Sequence, residues 1–146
     1  MRMTPRLIDS LYVEAMLLAD EARAYFDDQG REDRGRLDPL LRVSFSCESL
    51  KVTTRLMHLV AWLLTERALD AGEMPPGHMS DAARRLGETA RSDEALVARL
   101  PDMAGKLIAA SQELYARVAR LAESALIEEP QPSPARGLMS RLERAF

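Results

Sequence analysis

Residues 44–68 read SFSCESLKVTTRLMHLVAWLLTERA, and the fold depends on whether this stretch is a reactive centre or the central helix of a bundle. It holds the chain's one cysteine, Cys47, its one tryptophan, Trp62, and one of its two histidines, His58. Leu56, Val60 and Leu63 form one apolar row at helical spacing, and Met57, Ala61, Leu64 and Ala68 form a second beside it. Two adjacent rows describe a helix covered on more than one side. The spacing predicts a helix from about Ser46 to Ala71, with Gly72 placed to cap it.

Upstream, Thr4 before Pro5 reads as an N-cap followed by proline at the first helical position. Leu7, Leu11, Ala15, Leu18, Ala22 and Tyr25 then mark one face of a first helix that should stop near Gly30. GREDRGRLDPL, residues 30–40, reads as a charged connection containing the helix-disfavouring pair Asp38-Pro39. Downstream, GEMPPGHMS, residues 72–80, is a turn, and Ser80 and Ser92 are candidate N-caps of short helices.

The clearest pattern follows. Leu100, Ala104, Leu107, Ser111, Leu114, Val118, Leu121 and Ala125 alternate in steps of four and three, a heptad seam that suits bundle packing or a coiled-coil partner. Pro101 places the start of this last long helix. Beyond Ile127, EEPQPSP reads as an extended linker. In ARGLMSRLERAF, residues 135–146, Leu138, Met139, Leu142 and Phe146 fall at helical spacing between arginines. Twelve residues are too few for a stable isolated helix, so this segment suits folding into a partner's groove. The expected organisation is a helical domain over residues 1–127 and a linker with a flexible tail over residues 128–146. The fold class is all-α, an antiparallel three-helix bundle with a short extra helix before the last long one.

Composition narrows the function. A chain of 146 residues with 47% hydrophobic and 29% charged residues is one ordinary globular domain. Its net charge of −3 argues against general nucleic-acid binding. One cysteine cannot make an internal disulfide, which suits a reducing compartment. The N-terminal stretch lacks the apolar core and cleavage site of a secretory signal, and the longest apolar run, Leu56 to Leu64, is far too short to span a bilayer. A cytoplasmic protein without membrane insertion is expected.

Catalysis fares poorly. Cys47 and His58 return to nearly one helical face, but eleven residues separate them by roughly 16 Å along the axis. A base must come within about 3 Å of its nucleophile. Cys47 is therefore read as a small packing residue near a helix start. The histidines match no metal-ligand spacing, and Arg55 stands where a Glu-x-x-His motif would need glutamate. No enzyme activity, metal or cofactor is expected. One strip of the second helix, Lys51, Arg55, His58 and Trp62, has two readings. It is either a solvated edge with Trp62 partly tucked under a neighbour, or a docking strip for another protein, since arginine and tryptophan are enriched at interface hot spots.

SCESLKVTTRLMHLVAWLLTERALDAGE at residues 46–73, EAMLLADEARAYFD in the first helix and LYARVARLAE in the last together resemble the alphaproteobacterial RcdA family, regulators of CtrA degradation. The resemblance covers roughly residues 10–127. It implies a dimeric three-helix bundle that acts as a non-enzymatic adaptor, helping to deliver cell-cycle regulators to the ClpXP protease. It also implies a response-regulator partner, a substrate such as a transcription factor, and recruitment with the protease to a cell pole. The competing readings are a structural homodimerisation module, built on the heptad seam or on the broad apolar surface of the second helix, and a small DNA-associated regulator.

Overall fold

The computed structural model describes residues 4–73 and 86–128, together with Leu142, Glu143 and Ala145. Among these residues there are five helices before residue 129: α1 (Pro5–Asp27), α2 (Gln29–Gly35), α3 (Pro39–Asp70), α4 (Glu94–Val97) and α5 (Asp102–Glu128). The chain is all-α, with α1, α3 and α5 forming a three-helix bundle and α4 the short helix before the last long one.

α1 starts where its sequence signal lies: Thr4 Oγ1 accepts the amide of Leu7 at 3.2 Å and Pro5 follows the cap. α3 starts seven residues earlier than the apolar rows indicated. Asp38 Oδ1 accepts the amide of Leu41 at 3.0 Å, and Pro39 occupies the first turn. The Asp-Pro pair thus opens a helix, because a proline at the first position gives up only an amide that would have no partner there. The charged connection before it also winds into a helix, α2. Its Asp33 Oδ2 accepts the Tyr25 hydroxyl at 2.6 Å and its Oδ1 accepts Gln29 Nε2 at 3.0 Å. Downstream, the cap assigned to Ser92 belongs to Asp93, whose carboxylate accepts the amide of Ala95. The helical turn expected after Ser80 falls mostly outside the described residues.

Side-chain pairings fix the helix directions. α1 and α3 run antiparallel: Asp9 near the start of α1 meets Arg67 near the end of α3 at 3.1 Å, and Tyr25 and Phe26 at the other end meet Phe45. α1 and α5 are antiparallel too, with Tyr25 against the backbone of Ala104 and Glu14 paired to Arg117. It follows that α3 and α5 run in the same direction. The chain therefore has to return along the bundle between Asp70 and Asp102, and residues 87–92 are part of that return. Gly87 lies against His58, Ala90 accepts from Arg55, Arg91 accepts from Lys51 and Ser92 meets Glu48. This strap runs antiparallel to α3.

The core follows the predicted faces in part: on α1 Ile8 is buried where Leu7 was expected, and Leu7 is exposed. Ile8, Leu11, Ala15, Ala22 and Tyr25 of α1 meet Phe45, Val52, Leu56, Leu59 and Leu63 of α3. The heptad seam of α5 from Leu100 to Val118 is buried in its own bundle, Ser111 included. The opposite face of α3 is different. Val43, Leu50, Met57 and Leu64 are large, apolar and exposed, and Cys47, Thr54 and Ala61 between them are exposed as well. The second apolar row of this helix has no covering element among the described residues.

Candidate functional site

Lys51, Arg55, His58 and Trp62 do share one strip of α3, but Lys51, Arg55 and His58 meet the strap. Arg55 is 1% exposed and Trp62 is buried, whereas Lys51 and His58 are half-buried. The solvated-edge reading fails for Arg55: its guanidinium is the centre of a buried polar network joining α3, α5 and the strap. Nη1 donates to Ser111 Oγ of α5 at 3.2 Å, and Nη2 donates to Ala90 O and to Ser92 Oγ, each at 2.8 Å. Ser92 Oγ in turn donates to Glu48 Oε2 at 2.5 Å, and Lys51 Nζ donates to Glu48 Oε1 at 3.0 Å and to Arg91 O at 3.1 Å. The Ser92 amide faces Gln112 Oε1 at 3.4 Å, and Ser111 donates to Ile108 O.

The network suits guanidinium chemistry. A planar fork of donors can serve three acceptors on two separate elements, which a lysine ammonium on one stem could not do in the same geometry. Burial pulls the Arg55 pKa down, and the nearby Glu48 carboxylate opposes that. An arginine remains cationic under such shifts, so the interior holds a compensated charge pair. Tyr115 of α5 adds a contact to the strap: its phenol pKa is raised by burial, while a hydrogen bond with Thr89 acts the other way. The Nδ1 of His58, against Gly87, is buried without a hydrogen-bond partner among the described residues.

The sequence reading assigned nothing to Glu48 or Gln112, took Ser92 for an N-cap and placed Ser111 in the heptad seam. Glu48 is in fact fully buried. One signal was legible: Ser111 is the only hydroxyl in the α5 seam, and a lone polar residue in an apolar seam usually answers a buried partner. Cys47, expected to pack near a helix start, is exposed well inside α3. Of the C-terminal candidates, Leu142 is helical and exposed, and Leu138, Met139 and Phe146 lie outside the described residues. Among the described residues, no group of three or more His, Cys, Asp or Glu side chains gathers as a metal site, and no helix is long and apolar enough to cross a membrane.

Fold and interior together define an all-α bundle whose buried charged side chains clamp the chain to itself. The chain belongs to the RcdA family. A family pattern described as a protein of unknown function, DUF1465, matches residues 1–146. The crystal structure of RcdA from Caulobacter crescentus CB15 is similar at 35% identity with a TM-score of 0.68, over 84% of this chain and 93% of that one. A comparison with curated proteins finds no match.

Proposed function

We propose that this protein is a non-enzymatic adaptor in regulated proteolysis, a homodimer that helps deliver cell-cycle or transcriptional regulators to the ClpXP protease with a response-regulator partner. Kinship with RcdA carries the reading. Two features of the molecule accord with it. Glu48, Lys51 and Arg55 are occupied in holding the strap, and the exposed apolar face of α3 offers surface to another protein. The mechanism is tethering: a substrate held beside the protease meets it at a raised effective concentration without new chemistry. In this reading the folded bundle takes one partner, and the C-terminal segment carrying Leu138, Met139, Leu142 and Phe146 takes another.

The test is reconstituted degradation. Purified ClpXP and a candidate regulator are followed with and without the full-length chain, the response-regulator partner, and a version ending at Ile127. Faster turnover with the full chain and loss of that gain with the shortened one support the adaptor. If neither changes the rate for any candidate recovered by affinity capture, a plain dimerisation module becomes the better account.

A further inference from the structure

The strap is held by its own bundle as a receptor holds a peptide. Residues 86–93 take no regular secondary structure and lie across α3 and α5. Leu86, Thr89 and Ser92 are half-buried, whereas Gly87, Glu88, Ala90 and Arg91 are exposed. An inward residue at every third position matches the repeat of an extended, polyproline-type segment. Much of the grip is on backbone: Arg55 holds the carbonyl of Ala90, Lys51 holds that of Arg91, and Gln112 faces the amide of Ser92. The side chains recognised are one aliphatic group, Leu86 on the edge of the core, and two hydroxyls. Thr89 is hydrogen-bonded to Tyr115, and Ser92 accepts from Arg55 and donates to Glu48. Main-chain contacts that give affinity, with spaced pockets that give selectivity, are how extended peptides are recognised.

The strap fills this slot incompletely at both ends. The Ser92 amide stands 3.4 Å from Gln112 Oε1, a long hydrogen bond. At the other end the buried Nδ1 of His58 faces Gly87, which has no side chain to offer it, and finds no partner among the described residues. An unpaired buried polar atom is costly, so an occupant that serves it would be held better than the strap is. The cluster of Glu48 and Arg55 with Lys51 is also more than stability asks for, since packed apolar side chains of similar volume usually serve as well. What it supplies that an apolar cluster could not is selectivity: donors for two carbonyls, and both a donor and an acceptor for one hydroxyl.

We propose that the groove between α3 and α5 is a binding site for an extended peptide segment of another protein, with an aliphatic residue and two hydroxyls at the spacing of Leu86, Thr89 and Ser92. The strap is its resident occupant and is displaced in exchange. Being covalently attached, it competes at an effective concentration of roughly millimolar, which keeps weak segments out. The site needs neither a protease nor a second copy of the chain, so it stands apart from the adaptor role proposed above, which the degradation assay decides.

The probe is a fluorescein-labelled peptide of the strap's own sequence, LGETARSD, beside the same peptide with alanine for its serine. Ser92→Asp in the full chain sets a second carboxylate against Glu48 and should free the strap with helicity unchanged. Faster cleavage after Glu88 by a glutamate-specific protease reports the release. Fluorescence anisotropy should then show this variant binding the serine peptide, and the native chain binding it at least about tenfold more weakly. The alanine peptide should lose about tenfold, the worth of hydrogen bonds to charged groups. Should Ser92→Asp fail to fold, Ser92→Ala takes its place, because it removes only the contacts of the hydroxyl. A freed strap without peptide binding, or equal binding of the serine and alanine peptides, overturns the site. A strap still protected from cleavage in the folded variant overturns the exchange and leaves the strap a fixed cover.

Discussion

Arg55 of α3 donates through one nitrogen to Ser111 Oγ of α5, while its other terminal nitrogen holds Ala90 and Ser92 of the strap. One side chain therefore joins three elements, which further contacts tie in pairs, Lys51 to Arg91, Ser92 to Glu48 and Ser92 to Gln112. Removing it leaves Ser111, Ala90 and Ser92 without their donor and takes one cation away from Glu48, which is fully buried, shares Ser92 with it and keeps Lys51. Arg55→Met is expected to lower stability by about 3–5 kcal/mol, the usual cost of breaking a buried pair from one side. Adding Glu48→Gln should recover part of this, since the buried carboxylate that Arg55 helped to compensate is then gone, though the Lys51 pair goes with it. Urea unfolding of the four proteins in the cycle checks this. A single Arg55→Met variant as stable as the native chain would show that the network holds nothing.

Tyr25 and Asp33 make a second, titratable link. The Asp33 carboxyl sits below its ordinary pKa because the Tyr25 hydroxyl, then Gln29, donate to it. The Tyr25 phenol is raised, first by burial and then by Asp33. A carboxylate with a depressed folded-state pKa stabilises above its unfolded value, about 3.9, and loses that contribution as pH falls through the folded value. A raised phenol stabilises below its unfolded value, about 10, and loses the contribution as pH rises through the folded one. Tyr25→Phe is therefore expected to cost about 1 kcal/mol at neutral pH. The gap to the native chain should narrow below about pH 4 and again above about pH 10. Thermal unfolding across pH measures it, and a gap constant from acid to base would refute the link.

Two glycines of α2 should behave oppositely. A Cβ on Gly30 would stand 2.7 Å from the Tyr25 carbonyl oxygen, a backbone atom that cannot swing away. One on Gly35 meets nothing within 4 Å. Gly30→Ala is expected to destabilise by about 1–3 kcal/mol through overpacking. Gly35→Ala should be neutral or gain up to about 0.8 kcal/mol from helix propensity. Equal effects in a denaturation series would argue against the tight turn between α1 and α2.

The start of α3 depends on Asp38. Asp38→Ala should cost about 1 kcal/mol, as lost N-caps do. Faster hydrogen exchange should be confined to the first turns, around Leu40 to Val43. If exchange there is unchanged, the cap is not what begins the helix.

The long helices were legible because each carries an apolar face with the 3.6-residue period, and that face decides burial in a bundle this simple. The start of α3 was not, because Asp-Pro is a breaker within a helix and an opener at its first turn, and local sequence does not say which. The inward turn of Arg55 was hidden for a related reason. On a helical wheel it joins Lys51 and His58 on a polar edge, and only the strap, folded back from residues far along the chain, makes that edge an interior. Ser111 carried the one local hint. Cys47 and Met57 were misplaced inward because an apolar row was equated with burial, whereas this row faces out.

The parallel course of α3 and α5 has a consequence for the order of assembly. α1 and α3 are joined through a short connection, so their hairpin closes at small entropic cost, whereas α5 must await the whole return from Asp70 to Asp102. Until that return is laid down, Ser111, Ala90 and Ser92 are absent from the surroundings of Arg55, and its guanidinium stays in water. The dehydration of this charge is thereby deferred to the last step of folding, when every group needed to receive it arrives together.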